Sequence, residues 1–132
     1  MIQRERLVKD FEAMAQLTAP GEGINRLAFT DADWKGRQYI IDCMTDVGLS
    51  VEIDDFGNVI GYKIGKKPDL PAVMVGSHTD SVPNGGNYDG VVGVLSAIEV
   101  IRSMSTMVMN MIIPSLWCPL CVKSLVALGM LH

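Results

Sequence analysis

The chain has 132 residues, a length that predicts one domain or a piece of one. Its 15 acidic and 11 basic residues give a formal net charge of −4, and no cluster of Lys and Arg offers the positive surface that a nucleic-acid backbone requires, so we expect no nucleic-acid partner. Three cysteines without a regular framework argue against a disulfide-stapled secreted fold, and the charged, amphipathic N-terminus is unlike a secretory signal, so we expect a cytoplasmic location.

The N-terminal part of the sequence predicts two helices. Apolar residues recur at near-helical spacing over residues 2–17, with charged residues between them, which indicates a surface helix. Thr30, followed by acidic residues, is typical of a helix N-cap because acids suit the positive end of the helix dipole. This second helix is predicted to run to about Val47 and to stop at Gly48.

The middle of the sequence predicts strands and then a third helix. Residues 51–54 and 58–64 favour two strands joined as a hairpin. Residues 72–77 are a continuous apolar run, typical of a strand in the middle of a sheet with both faces covered. Residues 90–104 return to helical spacing. Helices that alternate with strands predict an α/β fold, in which helices pack on a mixed sheet.

Residues 76–90, GSHTDSVPNGGNYDG, follow the predicted central strand. His78 and Asp80 share a face of an extended chain, so the Asp80 carboxylate would accept a hydrogen bond from the ring and leave the other ring nitrogen as a metal ligand. Asp89, directly before a helix, would add a carboxylate that can bridge two cations. The residues alone leave two interpretations open, a metal site or an ordinary hydrogen-bonded pair beside a glycine turn.

A family resemblance favours the metal site. GSHTDSVPNGGNYDGVVGVLSAIEVIR resembles the metal-site segment of M20-type metallohydrolases, in the branch of N-carbamoyl-L-amino acid hydrolases, allantoate amidohydrolases and β-ureidopropionases. NRLAFTDADWKGRQYIIDCMTDVGLSVEIDDFGNVIGYKIG resembles the same branch, so the resemblance covers about residues 1–102. The short NGGNYDG link is specific, since the peptidase and aminoacylase members carry a longer insertion there.

The resemblance implies roles for three residues. His78 would be a ligand of one metal ion, Asp89 a ligand bridging two, and Asp80 the catalytic-site carboxylate that orients His78. The implied cofactors are two divalent ions, Zn or Mn. The implied reaction hydrolyses the C–N bond of a small N-carbamoyl amino acid or a ureido compound such as allantoate, with a Glu of a Glu-Glu pair as the base. Complete family members are homodimers.

The resemblance implies that residues 1–102 are the N-terminal portion of the catalytic domain, and it ends there. We expect residues 103–132 to be an aberrant apolar tail, the end of a helix followed by irregular chain. No acidic residue follows Glu99, so the Glu-Glu pair is missing from this sequence, as are the family's later ligands and dimerisation domain. We therefore expect a truncated, inactive fragment. Its strand 72–77 would lack its usual neighbour and leave an edge prone to aggregation.

Other functions of the tail are weaker interpretations. A membrane anchor over residues 104–122 is disfavoured because Asn110, Pro114 and Pro119 interrupt the apolar stretch. Cys118 and Cys121 have the spacing of a redox or zinc pair but lack the context that either site requires. A non-catalytic interaction module with an adaptable Met-rich tail is the alternative from a different class.

A shift of reading frame would explain the tail. Read one base back, the single codons of Met and Trp force Gly from Met107-Val108 and Glu from Met109-Asn110. With permitted synonymous codons the stretch can read HHGYEHDHPIVVVPFVREESGRFG, which resembles the family's Glu-Glu segment. We hypothesise a frame-disrupted tail. The coding DNA around Arg102 decides this, because an in-frame gene without a shifted match to the family would exclude it.

Overall fold

The structure is a computed structural model and describes residues 1–63, 73–106 and 115–117. The elements in chain order are α1 (Arg4–Gln16), α2 (Asp31–Asp46), β1 (Ser50–Ile53), β2 (Val59–Lys63), β3 (Val73–Val75), α3 (Val91–Thr106) and β4 (Ser115–Trp117). The strands form one sheet in the order β1-β2-β4-β3. The β1–β2 and β2–β4 pairs are antiparallel and the β3–β4 pair is parallel, which confirms the predicted α/β fold with a mixed sheet.

The ends of α2 lie where the sequence predicts them, because local hydrogen bonds fix both. The Thr30 side chain accepts a hydrogen bond from the Asp33 main-chain N–H, and Asp33 Oδ2 accepts one from the N–H of Phe29. The first bond satisfies a donor that a helix start otherwise leaves without a partner, and the second attaches the residue before the cap to the first turn. At the other end, Gly48 has φ +77°, a left-handed conformation that stops a helix and that glycine adopts at low cost.

The predicted hairpin is also confirmed. Ser50 pairs with Tyr62 and Ile53 with Val59 across β1 and β2. Asp54 shapes the turn because its Oδ1 accepts hydrogen bonds from the main-chain N–H groups of Phe56 and Asn58. This side chain therefore sets the register of the hairpin.

The three helices and the hairpin enclose a common core. Its fully or nearly fully buried apolar members include Met14, Ile40, Met44, Val59, Val94, Leu95 and Ile98. Full burial of one such side chain is worth about 1.5–3 kcal/mol relative to exposure. This core fixes α3, and with it the residues directly before α3, relative to the rest of the chain.

A buried ion pair joins α1 to α3. Glu99 is 1% exposed and accepts hydrogen bonds from Arg6 Nε at 2.7 Å and from Arg6 Nη2 at 2.8 Å. The same carboxylate accepts a third bond, of 2.7 Å, from the main-chain N–H of Gln3, the residue that precedes α1. The start of α1 is therefore attached to the middle of α3.

The prediction of a central, covered strand at residues 72–77 is wrong for the described part of the chain. β3 lies at the end of the sheet there, and its side chains are exposed, with Met74 at 52%. Pairing with β4 occupies one edge of β3, so the expectation that it would lack a neighbour is wrong for that edge. The reason is that Ser115–Trp117, expected to be irregular, form a strand.

The remaining features of the predicted tail lie largely outside the described residues. α3 continues across the expected boundary at residue 102 and ends at Thr106, as the sequence predicted for the start of the tail. Cys118, Cys121 and most of the stretch 104–122 are not among the described residues. Within the part that is described, no helix combines the length and the apolar character that crossing a membrane requires.

Candidate metal site

His78 lies in the loop that follows β3, and its Nδ1 faces Asp80. The nearest acceptor is the main-chain carbonyl oxygen of Asp80 at 3.1 Å, while the carboxylate Oδ1 lies at 3.5 Å. The predicted hydrogen bond from the ring to the carboxylate is therefore not formed, because the loop places the main-chain carbonyl of Asp80 closer to Nδ1 than the carboxylate, whose Oδ1 has no hydrogen-bond partner. A carbonyl oxygen only accepts, so this contact favours a proton on Nδ1 and leaves the lone pair on Nε2.

Asp89 approaches the other nitrogen of the ring. Its Oδ1 lies 3.9 Å from His78 Nε2, and its side chain is 80% exposed. The start of α3 packs on the end of β3, since Ser77 Oγ donates a 2.6 Å hydrogen bond to the carbonyl of Gly90. Gly93 allows this approach, because a Cβ there would lie 2.6 Å from Ser77 Cβ. Packing of the helix on the strand therefore brings Asp89 to His78.

The distance between these two atoms fits ligation of a common cation. Zn–N and Zn–O bonds of about 2.0–2.2 Å place two ligand atoms of a tetrahedral ion about 3.4 Å apart, and wider ligand–metal–ligand angles extend this to at most about 4.3 Å. His78 Nε2 and Asp89 Oδ1 lie 3.9 Å apart, within that limit. Two oxygens of the same loop, Asp80 Oδ1 and Asn87 Oδ1, are buried without a hydrogen-bond partner, so the loop keeps unused acceptors.

The described residues supply only part of a ligand set. No group of three or more His, Cys, Asp and Glu side chains that could hold a metal ion occurs within residues 1–63, 73–106 and 115–117. His78 and Asp89 are two possible ligands, and Asp80 lies behind the ring. Catalytic zinc sites use three protein ligands and an open position, so these two side chains would need others to complete a centre.

Residues 24–26, between α1 and α2, hold the loop in place. Ile24 forms a two-bond antiparallel bridge with Gly85. Asn25 Oδ1 accepts a hydrogen bond from the main-chain N–H of Asn84, and the carbonyl of Arg26 accepts one of 2.8 Å from the N–H of Ser81. No short sequence pattern predicts these contacts, because the partners are more than 50 residues apart in sequence.

The structure thus brings together the three residues singled out from the sequence. His78 lies between Asp80 on its Nδ1 side and Asp89 on its Nε2 side. The residues missed from the sequence are those of segment 24–26, together with Ser77 and Gly93 of α3, which lets the helix approach.

Comparison with known proteins relates the chain to amidohydrolases. An N-carbamoyl-L-amino-acid amidohydrolase of Pseudomonas sp. (strain NS671) is 43% identical over 105 residues, which are 79% of this chain and 25% of that protein. A ureidoglycolate hydrolase of Arabidopsis thaliana is 48% identical over 84 residues, 64% of this chain and 18% of the relative. No protein-family model matches the sequence.

The fold agrees with the sequence comparison. The crystal structure of a hydantoinase/carbamoylase family amidase from Burkholderia ambifaria superposes with a TM-score of 0.82 at 34% identity, covering 89% of this chain and 30% of that one. The chain spans about a quarter of the length of the curated relatives it matches. Over that span it is a homologue of the N-carbamoyl-L-amino-acid amidohydrolases and shares the fold of the hydantoinase/carbamoylase amidases.

Proposed function

We propose that this chain supplies part of the divalent-metal centre of an amidohydrolase that cleaves the C–N bond of N-carbamoyl amino acids or related ureido compounds. The observation that carries the proposal is the 3.9 Å approach of Asp89 Oδ1 to His78 Nε2, in a chain whose relatives bear amidohydrolase names. The substrate class is taken from those names.

The ligand roles follow from the chemistry of the side chains. His78 would bind one ion through Nε2, and Asp89 would bind through a carboxylate whose two oxygens can bridge a pair of ions. Zn and Mn both accept this combination of nitrogen and oxygen ligands. Asp80 would hold the proton on His78 Nδ1 through its main-chain carbonyl at 3.1 Å and so keep Nε2 free, and its carboxylate, 3.5 Å from Nδ1, would add a negative charge beside the ring.

Catalysis would divide between the ion and the protein. A divalent cation polarises the scissile carbonyl and lowers the pKa of water. The residues of this chain would place that cation and fix the ring that holds it. Glu99, the last acidic residue of the sequence, does not serve as the base, because its carboxylate is 1% exposed and bound to Arg6 and Gln3. We therefore propose that the 132-residue chain by itself binds metal weakly and does not turn over substrate.

Metal titration tests the ligand assignment. The 132-residue chain, labelled with ¹⁵N, is titrated with Zn²⁺, and His78→Ala and Asp89→Asn are compared with the wild-type chain. The matched control is His132→Ala, because His78 and His132 are the two histidines of the sequence. We expect shifts of the His78 ring and of the amides near Asp89, lost in the first two variants and kept in the control. Equal loss in the control would contradict the assignment.

A chimera tests the reaction. Residues 1–102 of this chain replace the matching segment of the Pseudomonas relative, and release of ammonia from an N-carbamoyl-L-amino acid is measured. We expect activity in the chimera, its abolition by His78→Ala, and a loss of about 10–100-fold for Asp80→Asn, the usual effect of removing a residue that orients a metal ligand. An inactive chimera that folds and binds Zn²⁺ normally would contradict the proposed reaction and leave the metal site standing. A cytoplasmic location and dimerisation stay predictions.

A further inference from the structure

Arg26 is a large, fully buried side chain with a relative exposure of 0%. A guanidinium taken out of water must find acceptors, because the cost of burying an uncompensated charge is high. Arg26 Nη1 donates a 3.0 Å hydrogen bond to the carbonyl of Met14, in the last turn of α1. Its Nε donates a 3.1 Å hydrogen bond to the carbonyl of Thr79, the residue between His78 and Asp80.

The main chain of Arg26 holds the other side of Asp80. The N–H of Arg26 donates to Ser81 Oγ at 2.9 Å, and the N–H of Ser81 donates to the carbonyl of Arg26 at 2.8 Å. Both residues that flank Asp80 in the chain, Thr79 and Ser81, are therefore hydrogen-bonded to Arg26. The peptide groups on either side of the carboxylate share one anchor.

The surroundings of Arg26 are shaped for this side chain. Gly36 of α2 lies against it so closely that a Cβ at position 36 would be 2.7 Å from Arg26 Cδ. Burial lowers the pKa of Arg26, whereas the negative charges of Asp33 and Asp80 raise it. The guanidinium remains a cation at neutral pH, as arginine does in proteins. It therefore provides a positive charge that attracts the Asp80 carboxylate as well as two main-chain donors.

We propose that Arg26 is a positioning residue of the candidate metal site. It fixes the chain on both sides of Asp80 and so keeps Asp80 against Nδ1 of His78. The inference rests on the proposed function in one respect, since the position of Asp80 matters to catalysis only if His78 binds metal. Arg26 would act on the metal site through Asp80 and His78. The guanidinium is itself held by its hydrogen bond to the carbonyl of Met14 in the last turn of α1.

The test compares two buried arginines in the metal-free 132-residue chain. Arg26→Met removes the anchor, and Arg37→Met is the matched control, because Arg37 is also buried, at 4% exposure, but pairs with Asp33 and donates to the carbonyl of Gly57. The readouts are amide hydrogen exchange at Ser81 and the ¹⁵N shifts of the His78 ring. If Arg26 had a purely structural role, both variants would lower the melting temperature, and neither the Ser81 exchange rate nor the His78 ring shifts would change more in Arg26→Met than in Arg37→Met.

We expect Arg26→Met to speed exchange at Ser81 about tenfold or more relative to the core amide of Ile98, and to move the His78 ring shifts. Arg37→Met should leave both signals unchanged relative to Ile98. Equal changes in the two variants, or no change in Arg26→Met, would overturn the proposal. If Arg26→Met does not fold, Arg26→Lys decides, since it keeps the cation but not the two-carbonyl geometry. A ring shift of His78 that differs from the wild-type value supports the proposal, and an unaltered ring refutes it.

Zn²⁺ titration of the wild-type chain separates this inference from the proposed function. Failure of Zn²⁺ to perturb His78 would remove the metal site, while the two metal-free signals would still report whether Arg26 positions Asp80 and His78.

Discussion

Gly90 lies so close to His78 that a Cβ at position 90 would be 2.5 Å from both Cγ and Nδ1 of the imidazole ring. Gly90 also has φ +69°, a conformation that residues with a Cβ rarely adopt. Both the space beside the ring and the turn into α3 therefore require glycine here. The approach of Asp89 to His78 depends on this residue.

We expect Gly90→Ala to destabilise the chain by more than the conformational cost of about 1–2 kcal/mol, because the ring of His78 must also move. Gly48→Ala is the matched control, since Gly48 has φ +77° but a Cβ there would meet nothing within 4 Å. Urea denaturation measures both variants. Equal losses of unfolding free energy would show that the contact with His78 contributes nothing.

The neutral ring of His78 should carry its proton on Nδ1. The carbonyl oxygen of Asp80 lies 3.1 Å from Nδ1 and can only accept, so a donor must face it. The ring ¹⁵N shifts in a long-range ¹H–¹⁵N spectrum report the tautomer. We expect the Nδ1–H form at His78, and a proton on Nε2 would contradict the orientation that the proposed ligand role requires. The ring of His132 is assigned by comparison with His132→Ala.

Glu99 should make the chain less stable in acid. Burial raises its pKa, but hydrogen bonds from Arg6, Gln3 and Ser103 outweigh burial and hold the pKa below its usual value of 4.5. A carboxylate with a lowered folded-state pKa stabilises the protein above its unfolded-state pKa, and this contribution disappears as the pH falls through the folded-state value. We therefore expect a loss of unfolding free energy below pH 4.5 that involves this carboxylate.

Glu99→Gln should remove that part of the pH dependence and cost about 2 kcal/mol at neutral pH, the usual worth of hydrogen bonds to a charged group. Glu12→Gln, at an exposed position of α1, is the control and should change little. Denaturation curves at several pH values measure both effects. A Glu99→Gln variant that keeps the wild-type acid profile would rule out this carboxylate as the source.

The edge of β3 should promote self-association. Within the described residues β3 pairs with β4 alone, and Met74 is 52% exposed. An exposed apolar edge strand offers unpaired main-chain groups to other chains, and a charge on it opposes such pairing. We expect Met74→Lys to lower association in sedimentation velocity, whereas Phe56→Lys, at a hairpin residue 73% exposed, should not. An equal reduction in both variants would indicate general apolar association instead of pairing along the edge.

Features encoded by a few neighbouring residues could be predicted from the sequence. The ends of α2 depend on Thr30, Asp33 and Gly48, and the hairpin turn depends on Asp54. Each of these residues lies within four residues of the helix end or of the main-chain group that it contacts. The candidate site was visible for the same reason. His78 and Asp80 are two residues apart, and Asp89 marks the start of a helix whose period is clear.

Features that depend on distant contacts could not be predicted. The buried position of Arg26 arises from partners in α1 and in the site loop, and an arginine between two helices predicts exposure on composition alone. The position of β3 in the sheet was predicted wrongly, because an apolar run indicates burial but does not specify which element covers the strand. The shorter contact of His78 to the Asp80 carbonyl depends on loop torsions that spacing does not specify.

The bond between Glu99 and the start of α1 also bears on the order in which the chain folds. Arg6 and Gln3 meet their acceptor 93 and 96 residues further along the sequence. A helix of 13 residues is marginal in isolation, so α1 gains its full stability only when α3 has emerged from the ribosome. Closing so long a loop slows folding, so we expect α1 to dock only after α3 has formed.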